Sequence, residues 1–186
     1  MLLECSSKDG ISITEEEIHP FLSFGKLTTL NLSSSCTEER CGVQLYDSIV
    51  SRLAMALPQL TSLMLGDIPC KTSTSDVTIK SLVALSTHCV DLDVLRLHFN
   101  ANDILSRGAY ANSETRKFTC KLRTLSVGSQ PLPSNHDDIL LVTFTILRIF
   151  PHVENITSAE GDWELVRRGV ELFRKAHRIV PPSTTD

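Results

Sequence analysis

The six residues LTSLML at 60–65 decide how the chain folds, because the chain repeats them. LTTLNL stands at 27–32, LDVLRL at 92–97 and LRTLSV at 122–127, and a worn copy, VENITS, stands at 153–158. The starts are separated by 33, 32, 30 and 31 residues, four nearly equal intervals. Such a period is the signature of a stacked repeat. In the closing Leu-x-Leu, two leucines sit two residues apart, so a strand carries both on one face and turns the residues between them to the other.

Between the copies lie patterns of helical period. The run 47–57 places Ile49, Val50, Leu53, Ala54 and Leu57 on one stripe. The run 76–88 does so with Val77, Ile79, Leu82, Val83 and Leu85, and 137–150 with Ile139, Val142, Ile146 and Phe150. Each opens on an Asp that predicts a helix cap, and Pro58 and Pro151 close two of them. The expected unit is therefore strand, turn, helix and return. One unit cannot bury its apolar face alone, but stacked units can. The spacing predicts an α/β solenoid with a curved parallel sheet on its concave side and helices on its convex side. It has about five repeats of roughly 31 residues. The competing expectation is an ordinary α/β domain, which leaves the regular intervals without a cause.

Composition agrees. Of 186 residues, 26 are leucine, and Phe, Tyr and Trp together supply ten. The core is thus expected to consist of many aliphatic contacts, eleven of whose leucines fall in the motif columns. Net charge is −4, and no basic run is longer than a pair such as Arg167–Arg168, so no nucleic acid is expected as a partner. The longest apolar stretch, 139–150, has about twelve residues and contains Arg148, too short to span a bilayer. MLLECSSKDG has no signal-peptide pattern. The six cysteines form no C-x-x-C pair, and we read them as reduced thiols in an intracellular protein, cytoplasmic or nuclear. The two sequons, at Asn31 and Asn155, carry little weight without secretion.

Residues 1–180 read as one repeat domain, with 181–186 a loose tail. Within it, 1–26 is a partial N-terminal unit: Leu3-x-Cys5 reads as the end of a further strand and 14–24 as its helix. The segment 162–179 reads as a C-terminal capping helix. Its inner stripe is Trp163, Val166, Val170 and Phe173, and its charged face pairs Glu164 with Arg168 and Glu171 with Lys175. One unit is irregular. Residues 98–120 are rich in Asn, Ser and Gly, with a short helix near 103–107 followed by a polar loop, read as a solvated insertion.

The motif copies, with cysteines beside them, resemble the cysteine-containing leucine-rich repeats. Cys36 and Cys70 follow the first two full copies, and Cys89 and Cys120 precede the next two. The phrases ALPQLTSLMLGDIPC, LVALSTHCVDLDVLRLHF, LRTLSVGSQPLP and TILRIFPHVENI further resemble the repeat region of fungal F-box-like proteins. The likeness covers nearly the whole chain. It implies substrate-recognition repeats of an F-box-type ubiquitin ligase receptor. In that family an F-box preceding the repeats binds the cullin adaptor. No F-box stands in this sequence, so adaptor binding is carried onto no residue of it and is expected only if an F-box lies upstream. The array is also one that could continue upstream.

No catalytic constellation is present: no P-loop, GxGxxG, GxSxG or HExxH. His88-Cys89 are adjacent and are not expected to face each other. No two cysteines have zinc-ligand spacing. Asp91, Asp93, Asp137 and Asp138 read as turn and cap residues, and His98, His136 and His152 as solvated. Neither an enzyme nor a cofactor or metal is expected. What remains is the surface between the leucines. Its central column is Asn31, Met64, Arg96, Ser126 and Thr157, with Thr29, Ser62, Val94, Thr124 and Asn155 before it and Ser33, Gly66, His98, Gly128 and Ser158 after it. The expected binding residues for a protein partner on the concave face are Asn31, Met64, Arg96, His98, Ser126 and Thr157, with Arg96 the strongest anchor. The alternatives are a truncated or degenerate paralogue with no partner of its own and, remotely, a small α/β enzyme.

Overall fold

A computed structural model describes residues 2–7, 15–34, 45–66, 76–107, 118–128, 132, 135–158 and 163–179. Six strands form one sheet: β1 (Leu2–Ser7), β2 (Thr29–Ser34), β3 (Ser62–Leu65), β4 (Val94–Leu97), β5 (Thr124–Val127) and β6 (Asn155–Ser158). They lie in chain order and every neighbouring pair is parallel. Between them run α1 (Glu15–Ile18) with a 3-10 turn (His19–Ser23), α2 (Asp47–Ala56), α3 (Ile79–His88), α4 (Asn102–Arg107) and α5 (His136–Ile149), and α6 (Glu164–Ile179) follows β6.

The register explains the spacing of the motifs. Thr29 pairs with Ser62, Ser62 with Val94, Val94 with Thr124 and Thr124 with Asn155, so each step equals the interval between motif copies. A second ladder runs just before the strands. The carbonyl of Thr28 accepts the N–H groups of both Thr61 and Ser62, and those of Thr61, Asp93 and Arg123 each accept two from the next unit in the same way. Each unit from β3 to β6 thus hangs on one carbonyl of its predecessor before the sheet proper begins.

All eleven motif leucines are at most 1% exposed, packed in one cluster with the inward residues of α2, α3 and α5. A fully buried leucine of this kind stabilises the fold by about 1.5–3 kcal/mol relative to exposure. The thiols work within the same core. Cys89 Sγ lies 3.6 Å from the Ala54 carbonyl and 3.5 Å from that of Leu57, at the C-terminal end of α2. Cys120 Sγ does the same one unit on, at 3.4 Å from the Cys89 carbonyl and 3.7 Å from that of Leu92. Carbonyls at a helix end lack intrahelical partners, and a buried thiol supplies a weak donor. Cys36, Cys41 and Cys70 lie outside the described residues.

Several expectations are corrected. The aspartates do not cap their own helices: α2 is preceded by Tyr46, α3 is capped by Thr78 and α5 by Asn135. Asp47 instead reaches across to the next unit. Its carboxylate accepts the backbone N–H of Thr78 at 2.7 Å and the hydroxyls of Thr78 and Ser81 at 2.6 Å each, clamping the start of α3 to that of α2. The helix expected over 14–24 is one α-turn continued as 3-10, since Pro20 withholds an N–H from the ladder. The head of the irregular unit is not solvated: Phe99, Ala101 and Ile104 are core, and Phe99 meets Trp163 edge-on with ring centroids 5.7 Å apart. The expected polar loop that follows, over 108–117, lies outside the described residues. Trp163, just before α6, and Val166 and Val170 on it are buried, but Phe173 is exposed against Phe144. Glu164 pairs with Arg168 at 2.9 Å, whereas Glu171 pairs with Arg167 rather than Lys175.

Candidate interaction surface

On the face turned away from the helices, register brings Asn31, Met64, Arg96, Ser126 and Thr157 into one row across five strands. Glu4 occupies the corresponding position on β1. Neighbouring parallel strands are about 4.8 Å apart, so the row from Asn31 to Thr157 extends about 19 Å. Asn31, Met64 and Arg96 are half-buried and Thr157 is exposed. Ser126 is buried, and its hydroxyl lies 2.8 Å from that of Thr157, so these two spend their polarity on each other.

Asn31 and Arg96 are different. Asn31 Oδ1 and Arg96 Nε are shielded from water and have no hydrogen-bond partner. A buried polar atom left this way costs about 1–3 kcal/mol. Arg52, Arg123, Arg167, Arg168 and Arg174 each pair with a carboxylate. Arg96 has no ion-pair partner among the described residues. Across β2 to β6 it is also the one charged residue of the three outward columns. The candidate anchor of the face is therefore a guanidinium without a counter-ion.

His98 was expected to be solvated and to offer its ring to a partner. It is 7% exposed instead. A Cβ built on Gly128 would stand 2.6 Å from His98 Cγ and 2.8 Å from Cε1, and closer still to Nδ1. The ring thus lies over Gly128, and the missing side chain is what admits it. Gly66, in the same column on β3, has φ 86°, a left-handed turn out of the strand that glycine takes without steric cost. The side chain of Ser33 lies outside the described residues.

Below the row, at the edge where the chain enters the sheet, is a charged ladder that the motif columns do not reveal. Asp91 and Asp93, expected to be turn and cap residues, each pair with the next unit. Lys121 Nζ is 2.7 Å from Asp91, and Arg123 grips both carboxylate oxygens of Asp93 at 2.5 and 2.8 Å. One unit further, Glu154 takes Arg174 at 2.9 Å. The Arg123 hydrogen bonds hold the Asp93 carboxyl below its ordinary value. Asp91, Asp93, Lys121, Arg123 and Glu154, with Thr28, Gln59, Thr61 and His152, line an open groove of about 1030 Å³. The signal was legible in principle: Asp91/Lys121 and Asp93/Arg123 are each 30 residues apart, one repeat. Solvent screens exposed pairs of this kind, so the ladder sets register more than stability.

The neighbours His88 and Cys89 do not meet as a nucleophile and base. His88 is exposed, while Cys89 is buried and its thiol is pushed up to about 12, first by desolvation and then by Cys120. No group of three or more His, Cys, Asp or Glu among the described residues is placed to hold a metal ion. No helix among them is long and apolar enough to cross a membrane. No protein-family model matches the chain, and no curated protein matches it.

Proposed function

We propose that the chain is a leucine-rich-repeat solenoid whose concave face binds a protein, the substrate-recognition repeats of an F-box-type ubiquitin ligase receptor. In this reading the chain performs no chemistry of its own. The observation that carries it is the row Asn31–Met64–Arg96, which presents a guanidinium with no ion-pair partner among the described residues on a mostly small and polar sheet face. A partner carboxylate would supply the charge-assisted hydrogen bonds that Arg96 lacks among the described residues. The bound segment needs no pocket, because a flat row of alternate side chains fits an extended peptide. The ligase assignment rests on the sequence resemblance, and the interaction role on the row.

The test is affinity purification from the native cell with wild-type chain and with Arg96→Ala. Proteins that come down only with wild type support the concave face. An identical set with both versions ends the claim for Arg96. Recovery of a cullin adaptor by this chain alone would place adaptor binding in the repeats, contrary to the proposal.

A further inference from the structure

The central row of the sheet face leaves two polar groups unengaged. Asn31 and Arg96 stand on β2 and β4, with Met64 of β3 between them. Asn31 Oδ1 is an acceptor and Arg96 Nε a donor, and each is shielded from water without a hydrogen-bond partner. Elsewhere in the row, Ser126 and Thr157 hold each other at 2.8 Å. The cations at the edge below, Lys121 and Arg123, are tied to Asp91 and Asp93. Turning Asn31 or Arg96 out towards a ligand therefore breaks no hydrogen bond at either atom. Both residues are half-buried rather than buried, so each keeps surface open to a ligand. Two groups of opposite hydrogen-bonding character, held two strands apart, specify a ligand more narrowly than one does.

Their spacing selects a backbone. Two steps between neighbouring parallel strands span about 9.6 Å. A peptide laid along a strand would meet only one of the two groups. A peptide laid across the strands in β conformation turns alternate side chains to the face every ~6.7 Å, which matches neither one step nor two. A polyproline II peptide has about three residues per turn and rises about 3.1 Å per residue, so residues i and i+3 return to the same side about 9.3 Å apart. That is two strand steps, within the slack of the side chains. We infer that the concave face binds a peptide in polyproline II conformation that crosses β2, β3 and β4. It carries Asp or Glu opposite Arg96 and, three residues away, a hydrogen-bond donor such as Gln opposite Asn31, with apolar residues between them over Met64. One guanidinium matches the single charge of a carboxylate, whereas a phosphate brings nearly two. The inference rests on the concave-face reading proposed above and adds the partner's backbone form, charge and spacing.

The experiment is an NMR titration of the full nitrogen-15-labelled chain, read at the side-chain N–H resonances of Arg96 and Asn31. The probe is the octapeptide Pro-Pro-Glu-Pro-Pro-Gln-Pro-Pro, used with Glu and Gln in either order. The control is Pro-Pro-Glu-Pro-Gln-Pro-Pro-Pro, which places Gln two residues from Glu. With the better order of the probe both resonances should shift together, and it should bind at least about fivefold more tightly than the control. Asn31→Ala should erase the difference between the spacings and keep the dependence on Glu. Arg96→Gln should weaken binding at least about tenfold. Dispersed spectra show that both variants are folded. Equal affinity for the two spacings overturns the inference, as does no binding of the probe up to about 10 mM. The concave-face reading is judged separately, by whether Arg96→Ala loses proteins in the purification from the native cell. A probe with phosphoserine in place of Glu that binds more tightly through Arg96 would overturn the assignment to a carboxylate.

Discussion

Gly128→Ala is a single-methyl test of the packing that puts His98 into the sheet face. The new Cβ would stand no more than 2.8 Å from three atoms of the imidazole, well inside contact distance. The ring is 7% exposed and lies over Gly128, so it cannot swing aside freely. Overpacking at such a site costs about 1–3 kcal/mol. For a chain of this size each kcal/mol lowers Tm by roughly 2–4 °C, so the variant should melt roughly 2–12 °C below wild type. The assay is a double-mutant cycle with His98→Ala, read by thermal and urea unfolding. In the double variant the methyl enters the space the ring has left. The cost of Gly128→Ala on that background should fall by at least about 1 kcal/mol. If Gly128→Ala melts with wild type, or if the two losses simply add, the ring does not rest on Gly128 and the packing described for this column is wrong.

Two further outcomes follow from the stacked core. Asp47→Ala removes one carboxylate from three donors at the start of α3 and should cost about 2–4 kcal/mol in urea unfolding, with Asp47→Asn recovering part; a loss below about 0.5 kcal/mol would refute the clamp. Cys89, raised from 9.0 to about 12, holds its proton more tightly folded than unfolded, so its contribution to stability is full below pH 9 and is lost as pH rises towards 12. At pH 8 iodoacetamide should label it at least about a hundredfold more slowly in the native chain than in urea, and equal rates would place the thiol at the surface.

The parallel sheet and its register were legible in the sequence because the leucines carry both. A strand face repeats every two residues and a unit every 30 to 33, and nothing but an ordered stack satisfies both periods at once. The central row was legible for the same reason, since a residue flanked by buried leucines must point the other way. What it offers a partner was not. Ser126 is taken by Thr157, and His98 is covered because Gly128 is bare, and both facts are set by the adjacent strand. The caps were misread for a related reason. Asp47 is in the first turn of α2, but its carboxylate serves α3, 31 residues on. In a stack, a residue's partner lies one repeat away rather than three or four residues away, so local rules give the right residue and the wrong recipient. Phe173 follows the inward period of α6, yet it faces the seam with α5 because Gly169 and Thr143 let those helices approach closely.

The contact between Phe99 and Trp163 bears on how freely such a chain can be edited. Phe99 follows β4 and Trp163 follows β6, so the ring pair passes over the unit of β5, and α3 likewise touches α5 beyond the short α4. Where each repeat touches only the next, one could be cut out and the ends rejoined, or a copy inserted, with the loss of little more than its own share of stability. In this chain, deletion of the β5 unit would bring Phe99 and Trp163 to the wrong separation and leave two large rings without their socket. The units from β4 to α6 are thus a single block for recombination, and the β3 unit is tied to that block where its α3 meets α5.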